Sequence, residues 1–293
     1  MPLWLAVLTA PPGALGRTKP RGAKMPYAKW GRDGAPLMQL VVLGNADEYL
    51  APGSGGSGYL IETAQARVLL DCGGGVADAL RSLGGAPLDA IVVSHFHHDH
   101  VLDLVRLLDL TAPHAPLIIP PGERQRLDAL AQAFTFDGEF TVPGGIVEAR
   151  PGTDGALVLG NLRLDFAPTQ HGVTSVATRV TGPTGAQLVY ASDSAPCASL
   201  AALAREAELL LMHTLLPAVA DESPHAAVHA TAQSAGVFAQ QVGARELVLS
   251  HRYHESSDAL MLSTAAAAFD RVRLASSGEL RLLTAPPKAD SAP

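Results

Sequence analysis

The sequence predicts an α/β fold in a single domain, and three observations carry that expectation. The chain has 293 residues, 47% of them apolar and 17% charged, enough to bury one large core. From Leu37 onward, short apolar runs alternate with stretches of helical period. Strand clusters and strand–helix units recur in both halves, with no dividing linker and no repeat of about 20–50 residues.

The elements follow in order. Residues 39–43, 58–62 and 67–70 read as three strands of a meander. Residues 76–83 read as a helix, with Val76, Leu80 and Leu83 on one face. Residues 90–93 are wholly apolar, as in a strand covered on both sides. A helix over 101–110, a strand over 116–119 and a helix over 122–134 come next. The second half supplies strands at 162–166, 176–180, 187–190, 209–212 and 246–249. Helices are expected at 198–206, 230–242 and 257–269. The domain spans residues 37–284. Residues 1–36 are expected to be a disordered extension, and 285–293 a flexible, solvated tail.

Charge narrows the partners. Residues 1–33 hold six basic side chains against Asp33, whereas residues 34–287 carry 14 basic and 26 acidic ones, a net of −12. So acidic a body lacks the clustered Lys and Arg that phosphate backbones require. No specific nucleic acid and no membrane is expected as a partner; a homodimer is left open. No apolar run reaches the roughly 20 residues of a membrane helix. Pro2–Ala10 is apolar but lacks a preceding basic residue, so a cytoplasmic protein is expected over an exported one. Two cysteines, Cys72 and Cys197, are too few for a disulfide framework or a four-thiolate zinc site, and both are expected to be buried thiols.

The chemistry concentrates after the strand at 90–93. His95, His97, His98, Asp99 and His100 place five potential ligands within six residues. In extended chain, alternate side chains share a face, so His95 and His97 can meet on one ion. Asp99 and His100 then fall where a helix begins, aimed at a second position. Imidazole and carboxylate without thiolate suit a catalytic site for zinc, manganese or iron.

The pattern His95-x-His97-x-Asp99-His100 resembles the signature of the metallo-β-lactamase superfamily, and the likeness runs from about Leu40 to Leu283. Asp71 falls in its first motif, where the family's aspartate props the metal loop. His171, Asp193 and His251 fall at its third, fourth and fifth. Taken singly, each would read as a structural strand-end residue; together, in order, they form a pattern. The resemblance implies a four-layer αββα sandwich with two divalent ions, Zn²⁺ foremost and Mn²⁺ or Fe²⁺ as alternatives. One ion would be held by His95, His97 and His171, the other by Asp99, His100 and His251. Asp193 would bridge them, together with a water or hydroxide. True β-lactamases of the superfamily lack that aspartate.

His229-Ala-Thr, 22 residues before His251, resembles the histidine motif of the phosphodiesterase branch, which includes ribonuclease Z. There this histidine assists the leaving oxygen, and Asp99 is the further residue implied in catalysis, orienting the attacking hydroxide. Ribonuclease Z carries a long arm between its third and fourth motifs, for which the 22 residues from His171 to Asp193 leave no room. It also has a glutamate where this chain has Thr214. The resemblance therefore points to small, cyclic phosphodiesters rather than transfer RNA. Carboxyl-ester, lactone, thioester, weak β-lactam, phosphotriester or aryl sulfate hydrolysis is the alternative, and a metal-binding scaffold without turnover a third reading. Of the remaining histidines, His98 is expected on the opposite face, His213 near the site, and His114, His225 and His254 in solvent. The Gly-rich stretch 53–58 reads as a flexible turn.

Overall fold

A computed structural model describes residues 38–47, 55–84, 87–134, 141–152, 155–219, 224–253 and 256–284. The expected extension, the tail and His254 lie outside them. Two seven-stranded sheets face each other. The first joins, in spatial order, β14 (Leu280–Leu283), β1 (Met38–Gly44), β2 (Gly58–Glu62), β3 (Arg67–Leu70), β4 (Ala90–Val92), β5 (Leu117–Ile119) and β6 (Ile146–Glu148). The second joins β13 (Val272–Leu274), β12 (Leu247–Ser250), β11 (Leu209–His213), β10 (Gln187–Ser192), β9 (Val176–Thr181), β8 (Leu162–Pro168) and β7 (Leu157–Leu159).

Strand alternation builds three cores. Leu40, Val42, Val68 and Leu70 point between the sheets and meet Leu164, Leu188, Tyr190 and Leu211. Val41, Leu43, Leu69 and Ile91 point the other way, under α1 (Val76–Leu83), α3 (Leu104–Leu108) and α4 (Arg124–Phe134). Val189, Leu210 and Leu247 do the same under α5 (Ala198–Ala204), α6 (Ala232–Val242) and α7 (Asp258–Ala266). Strands apolar on both faces are what a sheet covered on both sides requires. The result is the αββα sandwich.

One expected helix is two. The stretch 101–110 divides into the end of α2 (His98–Val101) and α3. Between them Asp103 turns its carboxylate onto the first turn of α1, accepting from Gly75 N at 2.8 Å and Ala77 N at 2.9 Å. Anchoring those orphan amides competes with continuing the helix. Four further strands, β6, β7, β13 and β14, were not expected, and each forms a sheet edge. Among the described residues no helix is long and apolar enough to cross a membrane.

In each sheet half the pairs are antiparallel and half parallel: β3 to β6 run parallel, as do β10 to β13. Parallel strands end at one edge, and their carboxyl ends are where open α/β sheets place ligands. Asp71, His95, Asp193, His213 and His251 all lie at or just beyond such ends.

Candidate metal centre

Beyond β4 the chain stays extended through His97 (φ −75°, ψ 150°) and then enters α2. His95 and His97 consequently converge, with Nε2 and Nδ1 3.0 Å apart. His171, beyond β8, brings its Nε2 to 3.2 Å from His97 Nδ1. Asp193 Oδ2 lies 3.7 Å from His95 Nε2 and 3.8 Å from His171 Nε2. A tetrahedral ion held at about 2.0–2.1 Å separates its ligand atoms by roughly 3.3 Å. These four side chains fit such an ion.

A second set contains His100, Asp193, His213 and His251. Asp99 adjoins it: His251 Nε2 donates to Asp99 Oδ2 at 2.7 Å, and His100 Nε2 is 3.4 Å from the same oxygen. His100 Nε2 is also 3.8 Å from Asp193 Oδ2, so that oxygen stands between both sets. His100 Nε2 and His251 Nδ1 are buried without a hydrogen-bond partner. Leaving such atoms unpaired is costly, and a cation held here would pair them. The expected residues Asp99, His100 and His251 are thus together, and His213 joins them. His213 Nδ1 donates to Asp193 Oδ1 at 2.8 Å, while Tyr59 Oη lies 3.0 Å from its Nε2 and 2.6 Å from Ser250 Oγ. With both ring nitrogens engaged, His213 aims Asp193.

Asp71 props the loop. Its Oδ1 accepts from Ser94 N at 2.7 Å, and its Oδ2 from Ser94 Oγ and His100 Nδ1, each at 2.7 Å, and from Tyr190 Oη at 2.5 Å. Fixing one nitrogen of His100 leaves the other for a metal. Asp71, Ser192 and His251 hold φ of 59°, 54° and 56°, left-handed values that non-glycine residues adopt at a cost and that gather at functional sites. The glycine stretch is no flexible turn over residues 55–58; Gly53 and Ser54 lie outside the described residues. A Cβ on Gly56 would meet the Asp99 carbonyl oxygen at 2.6 Å, and one on Gly73 would meet it at 2.0 Å. Ser57 N donates to that oxygen at 2.9 Å. Close packing, rather than freedom, explains these glycines.

The electrostatics favour positive charge. Burial would raise Asp193, but His251 and the hydrogen bond from His213 hold it well below the usual carboxylate range. Burial likewise opposes, and the His251 hydrogen bond reverses, the shift of Asp99, which ends lowered. Burial works against a charged His100, yet Asp71 outweighs it and lifts the group to about 9. His251 is raised against its burial, first by Asp193 and then by Asp99. Burial pushes His95 and His97 down, leaving them neutral, as ligands must be.

His229 stands apart from both ligand sets. Its Nδ1 is 3.9 Å from Asp193 Oδ2, and its ring meets that of His171 edge-on at 4.8 Å. Burial lowers it to about 4. His225 is half-buried, not in solvent as expected: its ring stacks on His229 at 4.8 Å and 14°. The turn His225–His229, closed by His229 N donating to His225 O, brings the rings face to face. His114 is exposed, and so is His98, which lines the cavity over the cluster rather than the opposite face as expected. Cys72 is buried, but Cys197 is only half so, with Sγ 3.3 Å from Ser199 Oγ. A cavity of about 200 Å³ opens over the cluster, lined by His97, Asp99, Asp193, His229 and His251, and also by Asp47, Leu215 and Tyr253. Asp47, Tyr253, Tyr59 and Tyr190 carry no spacing signal. Ser94, directly before His95, was open to notice.

This fold, with two merged ligand sets at the strand ends, defines a metallo-hydrolase of the β-lactamase type. Residues 66–252 match the family described as the beta-lactamase superfamily domain, and the chain belongs to it. It is 31% identical over 224 residues to the probable metallo-hydrolase YhfI of Bacillus subtilis, covering 74% of this chain and 88% of that one. It is 28% identical over 242 residues to a ribonuclease Z of Mycobacterium bovis, covering 73% and 86%. The crystal structure of YhfI superposes with a TM-score of 0.71 at 28% identity, over 83% of this chain and 99% of that one. A diphosphatase of the PhnP family shares the fold, with a TM-score of 0.67 at 17% identity, over 83% and 97%.

Proposed function

We propose that the chain is a dinuclear metal-dependent phosphodiesterase acting on small, cyclic phosphodiesters, with Zn²⁺ as its foremost metal. The observation that carries this reading is His229, a histidine outside both ligand sets whose ring lines the same cavity as Asp99 and Asp193. Ester hydrolysis with a good leaving group needs no such residue; a diester with an alkoxide leaving group does. The relative named ribonuclease Z fits the same chemistry.

His95, His97 and His171 would hold one ion and Asp99, His100 and His251 the other, with Asp193 shared. Bound there, the ions would supply a water activated at neutral pH and positive charge against the phosphoryl oxygens. Asp193 stays ionised between the two sets and is kept in place by the hydrogen bond from His213. Asp99, hydrogen-bonded through Oδ2 to His251, orients the attacking water with its other oxygen. His229 donates a hydrogen bond to the departing oxygen, and His225, stacked on it, holds the ring plane.

A hydrolysis screen of the metal-reconstituted chain tests the reading. It covers cyclic nucleotides, bis-aryl phosphates, lactones, thioesters, β-lactams, phosphotriesters and aryl sulfates. Turnover highest on cyclic or aryl phosphodiesters is expected. Preference for lactones or thioesters would replace the reading with ester hydrolysis, and full metal loading without turnover would leave a scaffold.

A further inference from the structure

His229 lines two cavities. One is the 200 Å³ space over the metal ligands. The other, about 430 Å³, lies beside α6 and is lined by Pro196, Val219, Ala226, Gln233, Val237 and Gln241 as well as His229. Small-molecule sites usually occupy about 300–1,000 Å³. The space over the metals therefore suits a phosphoryl group but not the organic part of a diester. The second cavity is of that size, and it begins at the residue assigned to the leaving oxygen.

The lining indicates what it takes. Gln233, Val237 and Gln241 recur every four residues along α6, so they form one stripe of the helix. Val237 is 54% exposed, a large apolar side chain left facing water. Pro196, Val219 and Ala226 add apolar surface with no charge. Each glutamine offers an amide donor and an acceptor. Apolar contacts flanked by paired donors and acceptors match a nucleobase, whose faces are apolar and whose edge carries both kinds of group. An acyl chain would leave both amides unused.

We infer that this cavity is a subsite for a nucleobase, which binds the organic part of the substrate while His229 meets the oxygen that joins it to phosphorus. The inference rests on the phosphodiesterase reading and narrows its substrates to nucleoside-bearing diesters.

The test compares Val237→Trp, which fills the cavity, and the Gln233→Ala/Gln241→Ala double variant with the parent chain. Leu260→Trp, at a position 52% exposed on α7, is the control. The ratio of kcat/KM on a nucleoside cyclic phosphate to that on methyl 4-nitrophenyl phosphate should fall by about tenfold or more in both cavity variants. The fall should come through KM. The control should keep the parent ratio. A second arm needs no catalysis: calorimetry with adenosine, guanosine, cytidine and uridine should show binding to the parent chain that Val237→Trp abolishes. An unchanged ratio, or no nucleoside binding, overturns the subsite. Absence of turnover on any phosphodiester, with nucleoside binding intact, would overturn the phosphodiesterase reading alone.

Discussion

Tyr190 on β10 donates its hydroxyl to Asp71 Oδ2 at 2.5 Å, tying the second sheet to the carboxylate that also receives His100. One buried oxygen thus couples the packing of the two sheets to the orientation of a candidate ligand.

Replacing Tyr190 with Phe keeps the ring and removes that donor. Loss of one hydrogen bond to a buried charged group should cost about 1–3 kcal/mol in urea unfolding. Chelator competition should also show weaker binding of one ion, because Asp71 is freer to swing. Unaltered stability and affinity would mean the bond is incidental.

Asp193 is the shared carboxylate. The purified chain should carry two divalent ions by elemental analysis, and Asp193→Ala should retain at most one and lose most of the activity. Near-native turnover with two ions bound would show the bridging assignment to be wrong.

His229 should matter in proportion to how poor the leaving group is. A hydrogen bond that strengthens onto a departing oxygen is worth about 10²–10³ in rate. His229→Ala should therefore slow a cyclic nucleotide far more than a nitrophenyl diester, with both ions retained. Equal losses on both substrates would indicate a positioning role. Loss of metal would mark it as a ligand.

The proton on His100 gives a pH test. Its value in the folded, metal-free chain, about 9, exceeds the ordinary 6.5. The stability it contributes without metal is complete below 6.5 and is lost as pH rises through about 9. Metal must displace this proton, and that on His251, which is also raised. Near pH 7.5, metal binding should release at least about one proton more per chain than above pH 9, where only the proton lost by the activated water remains. Calorimetry in buffers of different ionisation enthalpy measures it. Release independent of pH across this range would contradict the charge state argued here.

Legibility in the sequence followed locality. The strands at 58–62 and 67–70 and the helix at 76–83 have the bounds the apolar pattern indicates. Central strands need apolar residues on both faces, and that is a local signal. The unexpected strands β6, β7, β13 and β14 are all edges, three or four residues long and mostly half-buried. What makes them strands is the neighbour they pair with, which no window of sequence contains. The same holds for Asp103, whose partners sit 26 and 28 positions earlier, and for His225, whose exposure depends on how one turn folds back on His229.

The sequence by itself determined the chemistry of the centre. Metal binding demands particular side chains, and His95, His97, Asp99 and His100 supply four candidates in one short run whose backbone geometry follows from a strand meeting a helix. Only the tertiary structure decided how they are held. His213 meets Asp193 across 20 positions, Tyr190 meets Asp71 across 119, and Tyr59 meets His213 across 154. Those contacts arise from two sheets packing face to face with their parallel strands ending at one edge. Hydrogen bonds between residues so far apart have no periodicity for a sequence to display.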